Sequence, residues 1–79
     1  MEAIIKLETE CKDFRKILEK LGCEYRRSKG GHEAWKKSGI ARPLIFQTHV
    51  DPVPKLVVKN IIRDLGLTRE EFIAVYESL

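Results

Sequence analysis

The chain has 79 residues and a mass of 9.2 kDa, room for one compact domain without a large internal cavity. Hydrophobic residues at 43% and charged residues at 34% exclude a disordered chain, and no apolar run approaches the ~18 residues of a membrane span. The net charge is only +3, but residues 26–42 carry +5 and the rest of the chain −2, so the positive charge is concentrated.

The opening Met1-Glu2-Ala3-Ile4-Ile5-Lys6 lacks the apolar core and cleavage site of a secretion signal, which predicts a cytoplasmic protein. Residues 10–21 read as a helix. Cys11, Phe14, Ile17, Leu18 and Leu21 recur at three- and four-residue spacing, with Thr9 as predicted N-cap and Gly22 as predicted C′ residue. Ile4 and Leu7 fit the same stripe, while residues 3–7 equally suit a short extended arm; both readings stand.

Residues 23–28 alternate as a strand, with Cys23, Tyr25 and Arg27 on one side. Lys29-Gly30-Gly31 signals a tight turn. Residues 32–37 form a second predicted strand, with Glu33, Trp35 and Lys37 on one face and His32, Ala34 and Lys36 on the other. After the Ser38-Gly39 turn, residues 43–49 form a third strand. Leu44, Phe46 and Thr48 share one face; Ile45, Gln47 and His49 share the other. Pro43 suits the strand's start.

Residues 55–65 form a helix with Val58, Ile61, Ile62 and Leu65 as its buried stripe, ended by Gly66. Thr68-Arg69-Glu70-Glu71 is a capping box flanked by the Leu67/Phe72 staple, so a last helix covers residues 69–78. Short turns make the strands antiparallel, and helices at both ends predict an α+β fold packed on one sheet face. Trp35, Leu44 and Phe46 then point to the helices, and His32 points outward.

Three features bear on chemistry. In Lys29-Gly30-Gly31-His32 the glycines permit close approach of a phosphate, and histidine is suited to proton transfer near neutral pH. An ordinary hairpin followed by a surface histidine is the competing reading. Lys55, Lys59 and Arg63 recur every four residues, as a phosphate-tracking stripe or as a solvated helix face paired with acids such as Asp64. His49 is either a second acid–base group or a loop anchor. Tyr25 and Trp35 alternate with polar residues as core aromatics do, although bases also stack on such rings. Cys11, Cys23, His32 and His49 lack the paired spacing of zinc ligands, so buried thiols are expected and no metal or other cofactor.

The elements Leu21-Gly22-Cys23, Arg26-Arg27-Ser28-Lys29-Gly30-Gly31-His32, Trp35, Ser38-Gly39, Leu44-Ile45-Phe46-Gln47-Thr48-His49 and Ile61-Ile62-Arg63-Asp64-Leu65-Gly66-Leu67-Thr68-Arg69-Glu70-Glu71-Phe72 follow one another as in the HicA toxins. The chain resembles that family over residues 9–76, and residues 1–79 are expected to be a single HicA-like domain. The resemblance implies an α-β-β-β-α fold like the double-stranded-RNA-binding domain. It implies a toxin of a type II toxin–antitoxin system that cleaves mRNA without metal, a catalytic histidine matching His32, and a HicB-family antitoxin, with no membrane partner.

On that reading Lys29, Gly30 and Gly31 bind phosphate at the reacting centre, while Arg26, Arg27, Lys36 and Lys37 position RNA. A non-catalytic RNA-binding module of the same fold is the alternative, and a protein-interaction domain with an acidic partner is a third reading. The chain departs from many relatives at Gly31, where they have serine, and at Leu56-Val57-Val58, where they have a Gly-Thr or Gly-Ser element. It also departs at Glu33, where a carboxylate is expected to repel RNA or tune the site.

Overall fold

A computed structural model describes residues 8–79; the arm or early helix expected before Glu8 lies outside the described residues. The first helix, α1, spans Cys11–Lys20 and buries Cys11, Phe14, Ile17 and Leu18. It ends as expected: Gly22 adopts φ +85°, and the N–H groups of Gly22 and Cys23 donate to the carbonyls of Glu19 and Leu18 at 3.0 and 2.9 Å.

Its start differs from the expectation. Glu10 holds the N-cap position without a side-chain bond, and Asp51 Oδ1 accepts the Cys11 N–H at 3.0 Å. Thr9 is instead drawn into the core by an antiparallel bridge to Val53, whose N–H donates to the Thr9 carbonyl at 2.8 Å. A carboxylate 40 residues away therefore supplies the cap.

Strands β1 (Glu24–Lys29), β2 (His32–Lys36) and β3 (Leu44–Gln47) form one antiparallel sheet in that order. Lys29 pairs with His32 across the two-residue Gly30-Gly31 turn, whose φ values are +58° and +79°. Positive φ at both central positions matches the right-handed twist of a hairpin and favours glycine at each. Trp35, Leu44 and Phe46 are buried against the helices, as the alternation predicts.

The expected grouping of Cys23, Tyr25 and Arg27 on one face is corrected by a bulge. Tyr25 pairs with Trp35, but Arg27 pairs with Ala34, so Arg26 is an extra residue on β1. Beyond the bulge the alternation is reversed, and Arg27 shares the outer face with Ala34, Lys29 and His32.

Helix α2 (Lys55–Asp64) buries Val58, Ile61 and Ile62 and ends in the same glycine motif at Gly66. Helix α3 (Arg69–Glu77) starts on the predicted capping box: Thr68 Oγ1 accepts the Glu71 N–H at 3.1 Å, and Glu71 Oε1 accepts the Thr68 N–H at 2.8 Å. Phe14 joins the layers, meeting Phe46 edge-on at 5.1 Å and Phe72 at 6.4 Å. The result is an α+β fold of order α-β-β-β-α-α with its helices on one sheet face, the double-stranded-RNA-binding-domain-like class. Among the described residues no element covers the other face.

Candidate functional site

Register fixes which side chains share the open face, because directly opposed residues on neighbouring strands project to the same side. His32 lies between Lys29 on β1 and Gln47 on β3. The next rank is Arg27, Ala34 and Ile45, and the far end carries Glu24 opposite Lys36. His32 is exposed, and its Nε2 lies 3.3 Å from Gln47 Nε2.

The Gly30-Gly31 turn closes this end of the sheet. The Gly31 carbonyl accepts from the Thr48 N–H at 2.7 Å and from Thr48 Oγ1 at 3.2 Å, which ties the turn to the end of β3. His49 lies just past β3 with its ring against Gly31. A Cβ on Gly31 would stand 2.7 Å from His49 Nδ1. The missing side chain thus leaves room for the His49 ring against Gly31, the residue that precedes His32.

Of the residues singled out from sequence, His32, Lys29 and Arg27 gather at the turn end of the outer face beside Gly30 and Gly31, and His49 packs against Gly31. Lys36 lies four residues along β2 from His32, about 13 Å at ~3.3 Å per residue. Lys37 is farther still, with its Cε near Gly22 and its charge acting on Cys23. Arg26 occupies the bulge, exposed at the sheet edge. On α2, Lys55, Lys59 and Arg63 are all exposed, and Arg63 Nε stands 3.8 Å from Asp64 Oδ1.

Glu33 lies on the helix side with Trp35, as the alternation predicts, and does not face the site, contrary to the expectation that it repels RNA or tunes the site. It is 5% exposed on the helix side of the sheet. Its Oε1 accepts from Trp35 Nε1 at 2.7 Å and from Arg15 Nε at 3.0 Å. That hydrogen bond raises the Arg15 guanidinium pKa further above its ordinary value, against the opposing effect of burial. With Glu33 turned inward, the outer face loses the one acid of the basic segment, and among the described residues of the sheet its cations are opposed by Glu24 at the far end.

An open groove of about 430 Å³ between α1 and β1 is lined by Arg15, Glu19, Tyr25, Glu33 and Trp35. It lies on the helix side and does not include His32. Tyr25 is 53% exposed there, edge-on to the buried Trp35 at 5.8 Å, so it is a rim residue where a core residue was expected. Cys11 and Cys23 are buried free thiols, as expected, and the Cys11 thiol donates to the Val50 carbonyl at 3.6 Å. No helix among the described residues is long and apolar enough to cross a membrane.

Gln47 and Thr48 escaped the reading of the sequence as site residues. The alternation of β3 places Gln47 on the outer face, but the seven residues joining β2 to β3 leave open which residue of β2 it meets.

Fold and site together define a small α+β protein that sets an exposed histidine among cations on an open sheet. Residues 11–67 match the family described as HicA toxin of bacterial toxin–antitoxin, and the chain belongs to that family. It is thus the toxin of a toxin–antitoxin system, a class defined by an antitoxin partner. No curated protein matches the chain. The matched stretch holds the sheet, α1, α2 and every residue of the turn site; α3 lies beyond it.

Proposed function

We propose that this toxin is a cytoplasmic, metal-independent endoribonuclease acting on mRNA, with His32 as its general acid or base. The observation that supports this best is the exposed His32 imidazole beside a Gly-Gly turn, paired in register with Lys29 and diagonal to Arg27. RNA carries its own nucleophile. The ribose 2′-OH attacks phosphorus, the P–O5′ bond breaks, and the products are a 2′,3′-cyclic phosphate and a 5′-OH. One proton leaves the 2′-oxygen and one reaches the 5′-oxygen. A positioned imidazole that carries either proton contributes roughly 10²–10⁴-fold.

Lys29 and the Gly30-Gly31 backbone hold the scissile phosphate and offset charge on its oxygens. Arg26, Arg27, Lys36 and Lys37 engage the chain on either side. His49, held against Gly31, is the candidate for the second proton. A HicB-family antitoxin is the proposed partner, covering this cationic face.

Purified protein incubated with single-stranded mRNA in EDTA tests the reading. Cleavage that yields 5′-OH ends and disappears in His32→Ala is the expected result. Cleavage that persists in His32→Ala removes His32 from the chemistry. Tight, salt-sensitive binding without turnover would leave a non-catalytic RNA-binding module.

A further inference from the structure

We propose that Gln47 is a positioning residue for His32, a neutral partner that holds the ring in one orientation whether or not it carries the second proton. The inference rests on the reading of His32 as a proton carrier. Gln47 and His32 are directly opposed on β3 and β2, and their Nε2 atoms lie 3.3 Å apart. Gln47 is held from both sides: Phe46 is 2% exposed in the core, and Thr48 is bonded twice to the Gly31 carbonyl.

The chemistry of the pair follows from the groups. A neutral imidazole offers one donor and one acceptor, and an imidazolium offers two donors. A carboxylate beside the ring favours the charged form, and an ammonium favours the neutral one. A carboxamide favours neither. Its NH₂ donates to the Nε2 lone pair, and a half-turn about the terminal torsion presents its oxygen to an Nε2–H. The ring therefore keeps its place through a catalytic cycle, and Nδ1 is left for the substrate.

The other groups facing His32 are Lys29 on β1, Arg27 and Ile45 on the diagonals and Ala34 along β2, while His49 lies against the preceding residue, Gly31. The adjacent acid, Glu33, is bound to Arg15 and Trp35 on the opposite face. Gln47 is the ring's hydrogen-bond partner among the described residues.

The test uses the full chain labelled with ¹⁵N-histidine, as wild type, Gln47→Leu and Gln47→Glu. Imidazole nitrogen shifts are followed against pH without RNA, and cleavage profiles are measured in parallel. In Gln47→Leu the ring loses this hydrogen bond, so the His32 nitrogen signals shift and its ring loses its fixed orientation, and kcat falls roughly tenfold to a hundredfold with KM unchanged. In Gln47→Glu the His32 titration moves up by about one pH unit and the cleavage profile moves with it. Ring nitrogen signals and titration identical to wild type in both variants would overturn the proposal. Shifted ring signals together with cleavage that survives His32→Ala would uphold the Gln47–His32 pairing and reject the acid–base reading instead.

Discussion

Glu33 and Trp35, two residues apart on β2, form a hydrogen bond on the helix side of the sheet, with the carboxylate 2.7 Å from the indole nitrogen. The same carboxylate receives Arg15 Nε at 3.0 and 3.1 Å, which links α1 to the strand that begins with His32. A carboxylate 5% exposed is costly unless paired. Here each buried polar side-chain atom among the described residues has a partner.

The network is thus expected to matter for stability and not for RNA. Glu33→Ala leaves a buried indole N–H without an acceptor, a loss of about 1–3 kcal/mol. Glu33→Gln keeps an acceptor for Trp35 and costs less. Urea midpoints measure both. Cleavage per folded molecule should match wild type, because Glu33 and His32 lie on opposite faces. A rise in RNA affinity in Glu33→Gln would place the carboxylate in the RNA's field after all.

The two turn glycines should separate by substitution. Gly30 has φ +58° with open space where a Cβ would stand, so Gly30→Asn meets only the modest left-handed penalty that asparagine tolerates. At Gly31, with φ +79°, an added Cβ also strikes the His49 ring. Gly31→Ala should lose about 1–2 kcal/mol from backbone strain alone and push His49 away from the turn. Thermal unfolding of the two variants, with the His49 ring signals followed by NMR, compares them. Equal behaviour of Gly30→Asn and Gly31→Ala would remove the steric role assigned to His49.

Much of this arrangement was legible in the residues. Three helices, three strands, the capping box at Thr68 and the outward face of His32 follow from periodicity and turn chemistry, which are local. What was not legible depended on distant partners. The bulge at Arg26 leaves no mark in a run of exposed polar residues, since period-2 reasoning needs a buried face to mark the slip. The Thr9 cap failed because Val53 and Asp51, over 40 residues on, compete for that end of the helix. Glu33 was placed on the correct face, yet its partner Arg15 sits on a different element, and without that partner a carboxylate in a basic segment reads as part of the site.

The Gly30-Gly31 hairpin pairs Lys29 with His32 and sets Arg27 on the diagonal, and RNA binding should show it. Neutralising either residue should weaken binding similarly across RNA sequences and reduce the slope of log K against log salt by about one. Lys12 and Lys16 are exposed on α1, on the helix side of the sheet, and serve as the comparison. Their alanine variants should leave the slope unchanged. A salt titration of binding with a His32→Ala background, which prevents turnover, gives all four slopes. Equal losses at Lys16 and Lys29 would mean that the helix side carries the RNA.

The two thiols make a prediction about alkaline pH. Burial raises the Cys23 thiol pKa, partly offset by the Lys37 charge, and burial followed by the Asp51 carboxylate raises that of Cys11. The native state thus holds these protons more tightly than the unfolded chain does. Below about pH 8.5 both states keep them and the contribution to stability is complete. As pH rises beyond that point the unfolded chain releases its protons first, and stability falls until the raised native values are passed. Cys23→Ala removes one of these groups. The wild-type advantage over Cys23→Ala in urea midpoint should therefore shrink between pH 7 and pH 10. Iodoacetamide should label neither thiol at neutral pH in the folded protein and both in urea. Rapid labelling of native Cys23 at pH 7 would contradict its burial in the core.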